Sequence, residues 1–244
     1  MKPVGKERLD VLLVERGLVG TREKARALIL AGNVLVDGQK ADKPGHTFPA
    51  TCLVELIKGL PYVSRAGKKL EAALDAFHIE VRDRTCLDVG ASTGGFTDCL
   101  LQRGARRVYA VDVGSGQLDW KLRNDSRVAV REGINARYLS LEHIGEFVDL
   151  AVCDVSFISV TLILSPMLAL LRPEGEMVIL VKPQFEVGRG KVGKGGIVRD
   201  PALHVEVCER VREAVLAMGL VASVMESPVL GAEGNKEFLL YARH

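Results

Sequence analysis

No C-x-x-C pair occurs in this chain, and its five cysteines (Cys52, Cys86, Cys99, Cys153 and Cys208) are scattered and odd in number. That pattern excludes a disulfide scaffold and a cysteine-based zinc site, and most of the five sit in apolar runs, as reduced core thiols do. Long apolar runs are missing as well. No stretch reaches the uninterrupted length a membrane helix requires, and the opening "MKPVGKERLD" has none of the apolar block of a secretory signal. The expectation is a cytoplasmic protein with no membrane partner and no metal. Aromatic residues are scarce at 5%, and the net charge is only +2.

What is present is a chain of 244 residues, 48% hydrophobic, with a mean hydropathy of +0.15. This suffices for one large domain, or a large and a small one, with a sizeable core. The small net charge hides an asymmetry. Residues 1–70 carry +6 and residues 71–244 carry −4, so a polyanionic partner would meet chiefly the front of the chain.

That front reads as two short helices and a hairpin. Leu9, Leu12 and Leu13 have helical spacing, and Gly17 stops the first helix. Thr21 suits an N-cap for the second, whose core stripe is Ala25, Leu28 and Ile29. Asp37-Gly38 in "NVLVDGQKA" is a hairpin turn signal. Pro61 and Gly67 punctuate the segment "KGLPYVSRAGKKL", which places a linker near residues 55–64. Leu70, Ala73, Leu74 and Phe77 then form another helical stripe, with Ser64 as its candidate cap.

From Thr85 on, strands and helices alternate. The strand-like segments are 85–90, 106–113, 127–132, 149–155 and 176–182, with "LVASVMESPV" and "KEFLLYAR" as a final antiparallel pair. Segments between them, including "SVTLILSPMLALLRP", read as mostly helical, and "PALHVEVCERVREAVLAMG" as a long helix. Such alternation means an α/β fold with a parallel sheet covered on both faces.

Strand ends carry the chemistry. In "LDVGASTGGFTDCLL", Asp88 precedes Gly90, Gly94 and Gly95 between a strand and a helix, where backbone approaches a ligand closely. Asp112 ends the next strand, where a carboxylate takes ribose hydroxyls. A nicotinamide site is one reading, but the spacing is G-x-x-x-G-G rather than G-x-G-x-x-G. S-adenosylmethionine, with an amino group, a ribose and no pyrophosphate, suits the acids better. Asp154 ends "DLAVCDVSFIS", and Lys182 ends the apolar run of "VILVKPQFE", where Pro183 stops the strand. A lysine there either reaches for solvent or belongs to a site at the carboxyl edge of the sheet. After it, "VGRGKVGKGGIVRD" interleaves glycines with Arg189, Lys191 and Lys194, a flexible basic segment suited to a lid or to clamping phosphates. Phe157 and Phe185 have the chemistry to stack on a base, and equally that of core residues.

Two resemblances sharpen this reading. "RLDVLLVERGL" with "TREKARALILAGNVLVDG" resembles the S4 RNA-binding module over about residues 6–50, which implies Arg22, Lys24, Arg26 and Lys40 on an RNA-facing surface. Lys69, Asp154, Lys182 and Glu237 resemble the Lys-Asp-Lys-Glu tetrad of FtsJ-like RNA ribose 2′-O-methyltransferases. "SRAGKKL", "DVGASTGGFTD", "CDVSFIS", "VKPQFEVGR", "GGIVRDP" and "GNKEFL" together resemble the TlyA (hemolysin A-like) family of rRNA methyltransferases, nearly end to end. The resemblance implies a small S4-like domain over 1–60 and, over 65–244, a Rossmann-like class I methyltransferase domain with a seven-stranded, mostly parallel sheet. It implies S-adenosylmethionine as cofactor, bound by Asp88, Gly90, Ser92, Thr93, Gly94, Gly95, Phe96, Asp112 and Val113. It also implies ribosomal RNA or ribosomal subunits as partner, with Arg65, Arg189, Lys191 and Lys194 as further RNA contacts, and methyl transfer to a ribose 2′-hydroxyl, that of cytidine. A monomer or weak oligomer is expected. The alternatives are a non-catalytic S4-type RNA-binding or ribosome assembly factor, which the tetrad argues against, and a hemolysin.

Overall fold

In the computed structural model, residues 5–30, 32–56, 61–188, 190–231 and 234–244 are described. The chain divides into two units, Met1–Pro61 and Tyr62–His244.

The first unit runs β1 (Lys6–Arg8), α1 (Leu9–Glu15), α2 (Arg22–Leu30), β2 (Val34–Val36), β3 (Gln39–Lys40), β4 (Thr47–Pro49) and β5 (Val54–Leu56). The spacing of Leu9, Leu12 and Leu13 places all three on the buried face of α1, against Ala25 and Ile29 of α2 and Val34, Val36 and Val54 of the strands. Gly17, at φ +67°, follows the first helix, and the Thr21 hydroxyl accepts the Lys24 N–H at 3.3 Å. Asp37 and Gly38 both have positive φ, which a tight hairpin between twisted strands demands. The unit holds more strand than its sequence announces. β1 pairs with β4, and β5 with β2; at three residues each, these strands are too short to show an alternating pattern.

The second unit begins with α3 (Ala66–Ala76), β6 (Thr85–Val89), α4 (Gly95–Gln102), β7 (Arg107–Asp112), α5 (Trp120–Arg123) and β8 (Val128–Glu132). It continues with α6 (Leu141–Ile144), β9 (Val148–Cys153), α7 (Leu164–Leu168), β10 (Leu171–Val181) and α8 (Pro183–Glu186). It ends with α9 (Pro201–Leu216), β11 (Val221–Glu226) and β12 (Phe238–Arg243). The seven strands form one sheet in the order β11-β12-β10-β9-β6-β7-β8. β6 to β10 are parallel, and β12 runs antiparallel between β10 and β11. Among the described residues, no helix is long and apolar enough to cross a membrane.

Alternation along each strand divides the core in two. Leu87, Val89, Ala151, Cys153, Ile179 and Val181 face one side, where Val207, Val211 and Val215 of α9 cover them. Cys86, Val108, Leu150, Val152, Val178 and Leu180 face the other, under Leu70 and Leu74 of α3 and Leu100 of α4. Burial on both faces is why these strands read as continuous apolar runs. Chain order reverses between β6 and β9, so a crevice opens beyond their carboxyl ends.

Two local expectations are corrected. The segment 159–173 is helical only as far as Leu168: a 3-10 turn (Val160–Leu162) and α7 occupy its first part, and Leu171 already pairs with Val148. The pairing resumes at Glu176 opposite Leu150 after a register shift, so a bulge around Pro173 replaces the end of the expected helix. Ser64 does not cap α3. Arg65 occupies the cap position without a side-chain bond, and the Ser64 side chain is a lining group of the crevice instead.

Candidate active site

Four strands of the parallel set, β6, β7, β9 and β10, deliver the functional groups to the carboxyl edge of the sheet. β6 ends at Val89, whose carbonyl accepts the Asp154 N–H at 2.9 Å. Gly90 follows with φ +83°, and a Cβ there would lie 2.6 Å from the Asp154 carbonyl oxygen. No side chain fits at that crossing, which is why glycine stands there.

Asp154 and Lys182 meet at this edge, with Lys182 Nζ 2.6 Å from Asp154 Oδ1. The same ammonium donates to Ser156 Oγ at 2.9 Å and lies 5.9 Å from the Phe185 ring centroid. Pro183 starts α8 at its first position, so the lysine is held between a strand end and a helix start and does not reach for solvent. The β10–β12 register pairs Val181 with Phe238, which sets Glu237 beside Lys182 on the neighbouring strand. Glu237 Oε2 accepts a hydrogen bond of 2.5 Å from Lys69 Nζ on α3. Both of these side chains are buried, at 9% and 2% exposure. The four residues therefore form two ion pairs, Lys182 with Asp154 and Lys69 with Glu237.

The glycine turn is braced by Asp112, whose carboxylate oxygens accept the N–H groups of Ser92 at 2.8 Å and Gly114 at 2.7 Å. Two connected hollows flank this brace. One, of about 240 Å³, is lined by Ser64, Thr93, Gly95, Phe96, Ser156 and Lys182. The other, of about 590 Å³, is lined by Asp112, Val113, Ile134, Asn135, Arg137 and Phe157. Gly90, Ser92 and Asp154 border both. The larger is of a size that holds a nucleoside-like ligand. A cleft of about 610 Å³ exists at the opposite edge of the sheet, around Asp83, Arg84, Asp149 and Arg172. Both of its arginines are engaged in ion pairs, Arg172 with Asp149 and Arg84 with Glu176.

Asp88 lies beneath the glycine turn, with no solvent exposure. Its Oδ2 accepts from the Thr97 hydroxyl at 2.6 Å, while Oδ1 is buried without a hydrogen-bond partner. Burial, opposed by the Thr97 bond and reinforced by the charges of Asp154 and Asp112, pushes its carboxyl up to about 7. Asp112 borders the larger hollow and thus holds acceptor capacity for a ligand's hydroxyl groups, whereas Asp88, expected as a cofactor contact, lines neither hollow because the glycine turn covers it. The folded chain keeps the Asp88 proton at pH values where the unfolded chain has released it. Stability from this group is therefore full below about pH 4 and is lost as pH rises to about 7. Asp88→Asn is expected to remove that dependence, so that the ligand-free variant gains on the wild type by up to a few kcal/mol across this range. Urea unfolding at several pH values checks it; parallel curves for the two proteins would contradict it.

Residues 62–244 match the family model of FtsJ-like methyltransferases, and residues 7–50 match the S4 domain. The chain belongs to the FtsJ-like methyltransferase family. It is 47% identical over 239 residues to the 16S/23S rRNA (cytidine-2′-O)-methyltransferase TlyA of Mycobacterium tuberculosis, which covers 97% of this chain and 89% of that one. It is 44% identical over 236 residues to hemolysin A of Brachyspira hyodysenteriae, with 96% and 98% covered. A solved structure from Streptococcus thermophilus, described as a candidate hemolysin, superposes with a TM-score of 0.74 at 44% identity, covering 98% of this chain and 89% of that one.

Of the residues expected at this site, Gly94 is turned away from it, and Val113 and Phe157 line its larger hollow from the exposed rim. Gly94 packs against Leu122 and lines neither hollow. Val113 and Phe157 are exposed at 71% and 91%, and Phe157 has a φ of +65°, a strained backbone held at the rim of the site. Its ring tilts against Phe185, with centroids 5.0 Å apart. Arg65 is exposed next to Ser64 and Ala66 of the smaller hollow.

Lys24, Arg26 and Lys40 are exposed on the S4 unit. Arg22 is half exposed and gives one N–H to Asp10 Oδ2 at 2.9 Å. Asp10 is fully buried and also takes a bidentate pair from Arg8, at 2.9 and 3.0 Å. These bonds, led by Arg8, hold its carboxyl down at about 2. Lys194 is exposed, Lys191 pairs with Glu206 at 3.1 Å, and Arg189 lies outside the described residues.

Sequence reasoning missed Ser156, Ile134 and Asn135 as site residues. Ser156 sits two residues beyond Asp154 inside a motif already singled out, and Asn135 follows the end of β8, so the position past each strand end was the available signal. Ser64, expected as a helix cap, is a wall of the smaller hollow.

Proposed function

We propose that this chain transfers a methyl group from S-adenosylmethionine to a ribose 2′-hydroxyl of ribosomal RNA, and that the base concerned is cytidine. The observation that carries this reading is the Lys182–Asp154 pair at the edge of the hollows, backed by the buried Lys69–Glu237 pair. The FtsJ-like family and the S4 unit give the reaction class and the kind of partner, and the cytidine is taken from the named specificity of the M. tuberculosis relative.

The residues present suit that cofactor. Asp112 is an acceptor for ribose hydroxyls, Asp88 acts on a cationic amino group only through its charge from behind the glycine turn, and Ile134 and Val113 offer an apolar wall to an adenine ring. When bound, the cofactor supplies a methyl group activated by its sulfonium charge. What remains for the protein is to orient the hydroxyl and deal with its proton. Lys182 Nζ contacts the hydroxyl oxygen and stabilises the charge that develops on it. A charged ammonium takes up that proton only as it yields another, and the Asp154 carboxylate, 2.6 Å away with Oδ1 buried and making no hydrogen bond, is the nearest group to receive it. Lys69 and Glu237 set the second pair beside the first.

RNA is gripped by the S4 unit through Arg22, Lys24, Arg26 and Lys40, and by Arg65, Arg189, Lys191 and Lys194 of the methyltransferase part of the chain. Arg22 gives one N–H to Asp10 while about half of its side chain stays exposed, which anchors the guanidinium and leaves its other N–H groups for phosphate. Asp10→Asn is expected to weaken RNA binding severalfold and to flatten its salt dependence by about one phosphate contact. Binding titrations at several salt concentrations check this; an unchanged slope would remove Arg22 from the interface.

The reading is tested by incubating the protein with methyl-labelled S-adenosylmethionine and unmodified ribosomal subunits, then digesting the RNA to nucleosides. Label in 2′-O-methylcytidine is the expected result. Label in a base-methylated nucleoside, or in protein, would contradict it. Bound RNA without any transfer would favour a non-catalytic binding factor.

A further inference from the structure

The chain leading into β12 is held by a side chain outside the two ion pairs. Asn235 is 3% exposed. Its Oδ1 accepts the Val198 N–H at 3.0 Å, and its Nδ2 donates to the Gly196 carbonyl at 2.9 Å. A primary amide is the uncharged group that satisfies a backbone donor and a backbone acceptor together. Both contacts fall at the end of the basic glycine-rich segment, and the His204 Nε2, 2.9 Å from the Val198 carbonyl, fixes the same stretch from α9.

Glu237 follows Asn235 by two residues and is fastened by the same chain. Its carbonyl accepts the Ser227 N–H at 2.9 Å, and the Asn235 carbonyl accepts the Gly231 N–H at 2.8 Å. Gly231 packs so closely on the catalytic-site carboxylate that a Cβ there would lie 2.0 Å from Glu237 Oε1. The end of the basic segment, Asn235 and the Glu237 carboxylate are therefore one connected assembly. On its other side, Lys191 pairs with Glu206 at the surface, an exposed contact easily exchanged for a phosphate.

We propose that Asn235 is a positioning residue for methyl transfer: through its amide, contact of Lys191 and Lys194 with RNA phosphates fixes the Glu237 carboxylate against Lys69. This deepens the function proposed above and rests on it. Gripping the substrate and completing the catalytic constellation then become one event, so that bound RNA raises the rate as well as the occupancy.

The test compares wild type, Asn235→Ala, the pair Lys191→Ala/Lys194→Ala, and the triple variant in single-turnover methyl transfer at saturating cofactor and RNA. Asn235→Ala is expected to lower the rate by about 10- to 100-fold, with RNA and cofactor dissociation constants within about threefold of wild type. The lysine pair is expected to slow wild type and to have no further effect on the rate in the Asn235→Ala background. Losses that multiply, or an Asn235→Ala protein with the wild-type rate, overturn the inference. Should alanine fail to fold, Asn235→Asp, which keeps the size and the acceptor for Val198, is expected to show the same lack of multiplication. Hydrogen exchange at the Val198 amide gives a readout without turnover: RNA slows it in wild type but not in Asn235→Ala. A wild type that labels no RNA would defeat the proposed function, whereas RNA protection of Val198 that persists in Asn235→Ala defeats this inference alone.

Discussion

Lys182→Ala is expected to lower single-turnover methyl transfer by about 10²- to 10⁴-fold, with cofactor and RNA binding within about threefold of wild type. The split follows from position. Lys182 Nζ lies between Asp154 Oδ1 and Ser156 Oγ at the border of the hollow, where the proposed reaction brings the hydroxyl, whereas the proposed phosphate contacts lie on the S4 unit and the basic segment. Lys182→Arg is expected to fail as well, because a planar guanidinium cannot place a single nitrogen at the ammonium position. Rate measurements at saturating substrates, with binding measured separately, decide the matter. A loss confined to RNA affinity would make Lys182 a phosphate contact.

The second large effect concerns Lys69 and Glu237. Glu237→Leu alone strands a lysine whose side chain is 9% exposed, and a broken buried pair costs about 3–5 kcal/mol. Replacing both partners, as Lys69→Met with Glu237→Leu, removes both charges and their desolvation cost together. The double variant is expected to match or exceed the stability of wild type and still transfer methyl groups at least about a hundredfold more slowly. Urea unfolding and single-turnover rates on the same preparations check both halves. A double variant as active as wild type would make the pair a structural staple and nothing more.

The two kinds of side chain in this site differ in how far the sequence reveals them. Asp88, Asp112, Asp154 and Lys182 stand where apolar runs stop, and a parallel sheet brings all such ends to one edge. Their location is therefore readable from the chain. Which lysine pairs with which acid is not, because that depends on the order in which strands lie side by side. β12 inserts antiparallel between β10 and β11, and this alone sets Glu237 next to Lys182 while leaving Asp154 as the partner of Lys182. Ser156 and Asn135 lie just past strand ends, in stretches without periodicity. The run 159–173 looks helical from its leucines; the pairing of Leu171 with Val148 overrides that local preference. Arg22 reads as a free RNA contact in the sequence, and only the fold shows the buried Asp10 that aims it.

The central claim is that Lys182 promotes methylation of a ribose oxygen. A methyl on the 2′-oxygen blocks alkaline cleavage of the adjacent phosphodiester, so the most direct measurement is alkaline hydrolysis of ribosomal RNA labelled by wild type and by Lys182→Ala. Label recovered in an alkali-resistant dinucleotide with wild type, and none with Lys182→Ala, is the predicted result. Label released entirely as mononucleotide would place the methyl on a base and contradict it.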